Sequence, residues 1–108
     1  MLPKKRRVTK ELFQKIMKIG GTLSSPFFVL RYIQEDKPQY AFVAPKSMAK
    51  RAVDRNTFRR TGYRALSSYQ LNNGTGIFFY KKAGKEASFT EIKDDIGILL
   101  KKAHFIKE

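Results

Sequence analysis

The stretch FVAPKSMAKRAVDRNTFRRTGYR, Phe42–Arg64, decides how this 108-residue chain is read. It begins inside a strand-like run, Tyr40–Ala44, which Pro45 stops because proline cannot donate to a sheet ladder. A helix is expected over Ala49–Tyr69, with Asn72-Asn73-Gly74 closing it and turning the chain. Lys46, Lys50, Arg51, Arg55, Arg59, Arg60 and Arg64 fall in this segment, and only Asp54 opposes them. At about 100° per residue, Asn56, Arg60 and Arg64 share one helical face. Phe58, Gly62, Ala65 and Tyr69 share another, assigned to a sheet, where Gly62 lets helix and sheet approach closely. Solvated helix faces usually mix both signs of charge, so one this one-sided points to an anionic partner. The planar fork of arginine bonds phosphate bidentately and stacks on bases. Asn56 adds a neutral donor–acceptor pair suited to a base edge or a ribose hydroxyl.

The rest of the chain supports a nucleic-acid partner. Its formal charge is +14, from 23 Lys+Arg against 9 Asp+Glu, and an anionic partner relieves that self-repulsion. No apolar run approaches the roughly 20 residues of a membrane-spanning helix. The basic start Pro3-Lys4-Lys5-Arg6-Arg7-Val8 lacks the apolar stretch of a signal peptide; residues 1–8 read as a phosphate-contacting arm. The chain has no cysteine and one histidine, His104, which excludes disulfides and thiolate or His-rich metal sites. Catalytic machinery is not evident: Ser67-Ser68 has no base at useful spacing, His104 has no orienting partner, and Asp94-Asp95 point apart on a helix as solvated charges.

Working outward, Thr9 is a candidate N-cap, Leu12, Ile16 and Ile19 recur at helical spacing, and Gly20-Gly21 ends that first helix. Thr22–Ser25 reads as a short strand, Phe27–Ile33 as a longer one, Glu35-Asp36-Lys37-Pro38 as a turn and Ile77–Lys81 as a further strand. Strand alternation sends Phe27, Val29, Arg31 and Ile33 to one face and Phe28, Leu30 and Tyr32 to the other. Ser88-Phe89-Thr90-Glu91 fits a capping box, after which Ile92, Ile96, Leu99 and Ala103 line one face of a last helix. Gly97 within it costs about 1 kcal/mol relative to alanine. Helix, strands, helix, strand, helix predicts one α+β domain over 1–108, a two-layer sandwich with a small mixed sheet. Most of the many aromatics belong to its core; any left exposed beside the basic helix would stack single-stranded bases.

Phe42–Arg60 resembles the signature region of the bacterial ribonuclease P protein component, in which a strand runs into Ser-Lys-Lys, then Ala-Val-x-Arg-Asn-Arg and a basic pair. Leu2-Pro3-Lys4-Lys5 with Phe13-Gln14-Lys15 resembles that family's N-terminal segment and first helix, and Phe89–Ile92 through Leu100–Ala103 its last helix. The resemblance implies a ribosomal-protein-like α+β sandwich that partners a large catalytic RNA in removing the 5′ leader of precursor tRNA. It implies an endoribonuclease whose catalytic centre lies in the RNA, with Mg2+ accompanying the RNA and no cofactor held by the protein alone. The partners implied are ribonuclease P RNA and precursor tRNA, without membrane or obligate protein partner, in the cytoplasm. Arg55, Asn56, Arg59 and Arg60 match the RNA-contacting motif, and Lys46 and Lys50 match basic positions before it. A cleft between the central helix and the sheet is expected to hold the leader, with Phe13 lining it and Met17 and Arg31 at positions often aromatic in relatives. Thr57, Ser47 and Pro45 depart from the motif. From the residues alone, a structural RNA-binding protein, such as a ribosome-associated one, is the other reading; it predicts RNA binding without an effect on tRNA processing.

Overall fold

The structure, a computed structural model, describes residues 8–35, 38–71 and 74–106. The expected basic arm therefore lies outside the described residues except for Val8, as do Asp36-Lys37 and Asn72-Asn73. Helix α1 (Lys10–Ile19) starts where Thr9 accepts a hydrogen bond from the Leu12 N–H at 3.2 Å. Strands β1 (Gly21–Ser24), β2 (Phe28–Ile33), β3 (Gln39–Val43) and β4 (Thr75–Tyr80) form one sheet in the order β1-β2-β4-β3. β1–β2 and β2–β4 are antiparallel, whereas β3–β4 is parallel. A parallel pair needs a long crossover, and helix α2 (Ala52–Leu66) supplies it. Helix α3 (Phe89–Lys102) completes the fold.

The alternation expected in β2 is observed, and it sorts the helices. Phe28 and Leu30 are fully buried and stand in register with Tyr80 and Phe78. With Tyr40 and Phe42 they form the core beneath α2 and α3. Val29 and Arg31 face the other way, in register with Phe79 and Ile77. There α1 lies across β2 and β4, burying Ile16 and setting Phe13 edge-on to Phe79 at 6.4 Å. The α+β sandwich thus carries a partial third layer, because strands apolar on both faces need cover on both. Ile19, expected in the α1 stripe, is exposed: only the middle of so short a helix reaches the sheet.

Helix α2 is shorter than expected at both ends. Met48 and Ala49 are buried, and the Met48 N–H bonds the Pro45 carbonyl at 3.0 Å, so the chain is pinned as a turn before the helix starts. At the other end Tyr69 has left the helix to pack on α3 rather than on the sheet, its hydroxyl donating to the Lys93 carbonyl at 2.6 Å. Gly97 carries its helix-propensity cost for a reason: a Cβ there would collide with that Tyr69 hydroxyl.

Asp95 corrects the reading of Asp94-Asp95 as solvated charges. Its carboxylate is buried, accepting from the Ser25 hydroxyl and, at 3.1 Å, from the Phe27 N–H. It ties α3 to the β1–β2 turn. Asp95→Ala strands those buried donors and is expected to lower stability by about 1–3 kcal/mol, read as a reduced urea midpoint at unchanged slope.

The capping box forms as expected, with Ser88 accepting from the Glu91 N–H at 3.2 Å and Glu91 accepting from the Ser88 N–H at 2.9 Å. Ser88→Ala is expected to cost about 1 kcal/mol. The Ser88 hydrogen bonds hold the Glu91 carboxyl below the ordinary carboxylate range. Its contribution to stability is therefore present above that range and disappears as pH falls through the lowered folded-state value. A pH series of unfolding midpoints should show this acid-side loss in the parent and a smaller one in Glu91→Gln.

Candidate RNA interface

The expected cationic segment divides between a pinned loop and a helix. Lys46 and Lys50 are exposed on the loop that Met48 and Ala49 anchor. Arg51 is the N-cap residue of α2, makes no side-chain cap, and pairs with Asp54 at 3.1 Å. Arg55 is half-buried and folds back, donating to the carbonyls of Ala49 at 3.1 Å and Lys50 at 2.6 Å. It acts as a positioning residue: it fixes the loop that displays Lys46 and Lys50.

Asn56, Arg59 and Arg60 are exposed together on the next turn. Arg59 donates to the Asn56 side-chain oxygen at 3.2 Å, which leaves the Asn56 amide N–H2 directed to its surroundings. The Arg60 side chain has no hydrogen bond or ion pair with another described residue. Arg64 was expected beside Asn56 and Arg60, but its guanidinium sits over the Phe89 ring, 4.5 Å from the centroid. The cation–π attraction to α3 draws it away from the shared face. Beside the Asn56–Arg59 turn, Val43 and Ala44 at the end of β3 face Ala52 and Arg55 across a shallow groove.

That groove, between α2 and the sheet where the leader was expected, is lined by none of Phe13, Met17 and Arg31, and farther along α2 the helix closes on the sheet. Gly62 lies against the Phe42 ring so closely that a Cβ would overlap it, and Ala65 is fully buried. The residues named for that cleft instead meet on the opposite face of the sheet. Phe13 is half-buried against Phe79, Met17 is 40% exposed, and Arg31 donates to the Met17 carbonyl at 3.0 Å. The Arg31 Nε is buried in this seam without a hydrogen-bond partner among the described residues.

The ribonuclease P family profile matches residues 2–104. The ribonuclease P protein component of a Nitratiruptor species is 33% identical over 96 residues, covering 87% of each chain. The chain belongs to the ribonuclease P protein family. The corresponding protein of Vibrio parahaemolyticus is 30% identical over 91 residues, covering 81% of this chain and 77% of that one. In fold, it is similar to a mutant RNase P protein of Staphylococcus aureus, with a TM-score of 0.85 and 22% identity over 95% of this chain and 92% of that one.

This ribonuclease P protein is a subunit of the ribonucleoprotein endoribonuclease of tRNA processing and associates with its RNA. No helix among the described residues is long and apolar enough to cross a membrane. Of the departures from the family motif, Thr57 turns its hydroxyl inward to the Val53 carbonyl at 3.0 Å. Ser47 is exposed, and Pro45 accepts the Met48 N–H that shapes the loop. The sequence reading missed Lys82 and Lys85, which stand on a 3-10 turn, Lys82–Glu86, across a groove from Lys50 and Thr57. Their only signal was a basic run after the last strand.

Proposed function

We propose that two opposite surfaces of the chain serve two RNAs. The exposed face of Lys46, Lys50, Asn56, Arg59 and Arg60, with Arg51 at its margin and Arg55 bracing the loop, contacts ribonuclease P RNA. The seam of Phe13, Met17 and Arg31 takes the single-stranded 5′ leader of precursor tRNA. Mg2+ and the cleaving chemistry belong to the RNA, and the reaction belongs in the cytoplasm. One observation carries this reading: Asn56, Arg59 and Arg60 are exposed side by side with no acid on the same turn of α2. Such a surface meets phosphates and a ribose or base edge with little desolvation of its own. Among the described residues no three His, Cys, Asp or Glu side chains gather into a set that could hold a metal ion.

The test mixes the protein with its cognate ribonuclease P RNA at low Mg2+ and follows cleavage of precursor tRNA. Stimulation over RNA alone is expected, and its absence would refute the reading. The leader seam has its own readout. Phe13→Ala removes a ring able to stack a base, worth about 1–3 kcal/mol per base. It is expected to weaken holoenzyme binding of precursor tRNA while leaving binding of leaderless tRNA unchanged; equal losses for both would remove Phe13 from the leader site.

A further inference from the structure

The groove of about 690 Å3 beside the N-terminal end of α2 shares Lys46, Lys50 and Arg51 with the surface assigned above to ribonuclease P RNA, but its far wall belongs to neither surface. One wall is the pinned loop with Lys46, Lys50 and Arg51; the other is the 3-10 turn bearing Lys82 and Lys85. That turn is held in place. Gly84 is buried against Tyr80, the Lys81 N–H bonds the Phe27 carbonyl at 2.8 Å, and the Gly84 N–H bonds the Lys81 carbonyl at 2.9 Å. A 3-10 helix has about 3 residues per turn and rises about 2 Å per residue, so residues three apart eclipse. Lys82 and Lys85 therefore emerge from the same side, about 6 Å apart along the axis. Both are exposed, and neither has an ion pair with another described residue.

The groove thus gathers five cations against two acids, Asp54 and Glu86, and Asp54 is already paired with Arg51. On α2 its lining residues Asp54, Thr57 and Phe58 lie on the flank away from Asn56, Arg59 and Arg60. We propose that this groove binds a second segment of the ribonuclease P RNA backbone, with Lys82 and Lys85 contacting its phosphates opposite Lys46 and Lys50. α2 is then gripped by RNA on both flanks. The ribonuclease P RNA is the occupant because the groove is continuous, through α2 and the Lys46–Arg51 loop, with the surface assigned to that RNA. The leader seam lies on the other face of the sheet. This inference rests on that assignment of α2. The floor of the groove at Thr57 is neutral, which leaves room for a further cation.

The experiment measures binding of the full-length protein to its cognate ribonuclease P RNA across a KCl series. In about 0.15 M salt each phosphate contact contributes roughly five-fold through counterion release. Lys82→Ala/Lys85→Ala is expected to weaken binding about 25-fold and to flatten the log–log salt slope by about 1.4–1.8. Lys82→Arg/Lys85→Arg should bind like the parent, and Thr57→Arg should bind more tightly. Parent-like affinity and slope for Lys82→Ala/Lys85→Ala overturn the groove, and so does an equal loss for Lys101→Ala/Lys102→Ala on α3, since general charge then explains the effect. If Asn56→Ala/Arg59→Ala/Arg60→Ala loses affinity while Lys82→Ala/Lys85→Ala does not, only the groove proposal fails; if neither does, the α2 reading fails with it. A loss confined to precursor tRNA binding by the assembled holoenzyme overturns the assignment of the occupant and gives the groove to the substrate.

Discussion

Asn56→Ala/Arg59→Ala/Arg60→Ala is expected to weaken binding of ribonuclease P RNA about 100-fold near 0.15 M salt and to reduce the salt slope by about 1.4–1.8. Two lost phosphate contacts account for roughly 25-fold through counterion release. The asparagine hydrogen bond supplies the remainder at about 1 kcal/mol. Stability should barely change, because all three side chains are exposed and none packs in the core. The Arg59–Asn56 hydrogen bond makes the single substitutions non-additive: removing Arg59 frees Asn56 as well as deleting a cation. Titrations at several KCl concentrations, with circular dichroism confirming the fold, check the prediction. Unchanged affinity and slope would take this face out of the interface.

The second large effect is on folding. Gly62→Leu is expected to abolish the cooperative unfolding transition at physiological temperature, and Gly62→Ala to lower stability by up to about 2 kcal/mol. Alanine gains about 1 kcal/mol of helix propensity, but overpacking a core costs about 1–3 kcal/mol. The added Cβ meets the Phe42 ring, which has nowhere to go. It stacks on Phe78 at 4.9 Å with 9° between planes, and meets Tyr63 edge-on at 4.9 Å and Phe28 at 6.0 Å. A leucine is larger still, and total stabilities are only about 5–15 kcal/mol. Thermal or urea denaturation decides; an alanine variant as stable as the parent would show that the ring yields.

The two predictions differ in how far sequence alone reached them. The Asn56–Arg60 face was legible because helical phase depends on spacing and on nothing distant. Arg64 obeys the same phase but is taken by Phe89, a residue 25 positions along the chain. Gly62 was legible as a place of close approach, while its partner Phe42 was not. Asp95 and its neighbour Asp94 look alike in sequence; only the approach of Ser25 and Phe27 makes Asp95 a buried acceptor. Phe13, Met17 and Arg31, expected to line a cleft between α2 and the sheet, meet instead on the other face of the sheet, beneath α1. Alternation divides a strand into two faces without saying which helix covers each.

Local order was therefore determined by sequence alone: the Thr9 and Ser88 caps, the Pro45 stop, the two faces of β2 and the cationic run from Lys46 to Arg64. These rest on interactions within a few residues, so the local pattern contains their physics. The tertiary structure decided the strand order, the placing of α1 opposite α2, the folding back of Arg55 and the meeting of Lys82 and Lys85 with Lys46 and Lys50. Those depend on which distant surfaces exclude water together, and burial of this kind is non-directional and has no signature in local spacing.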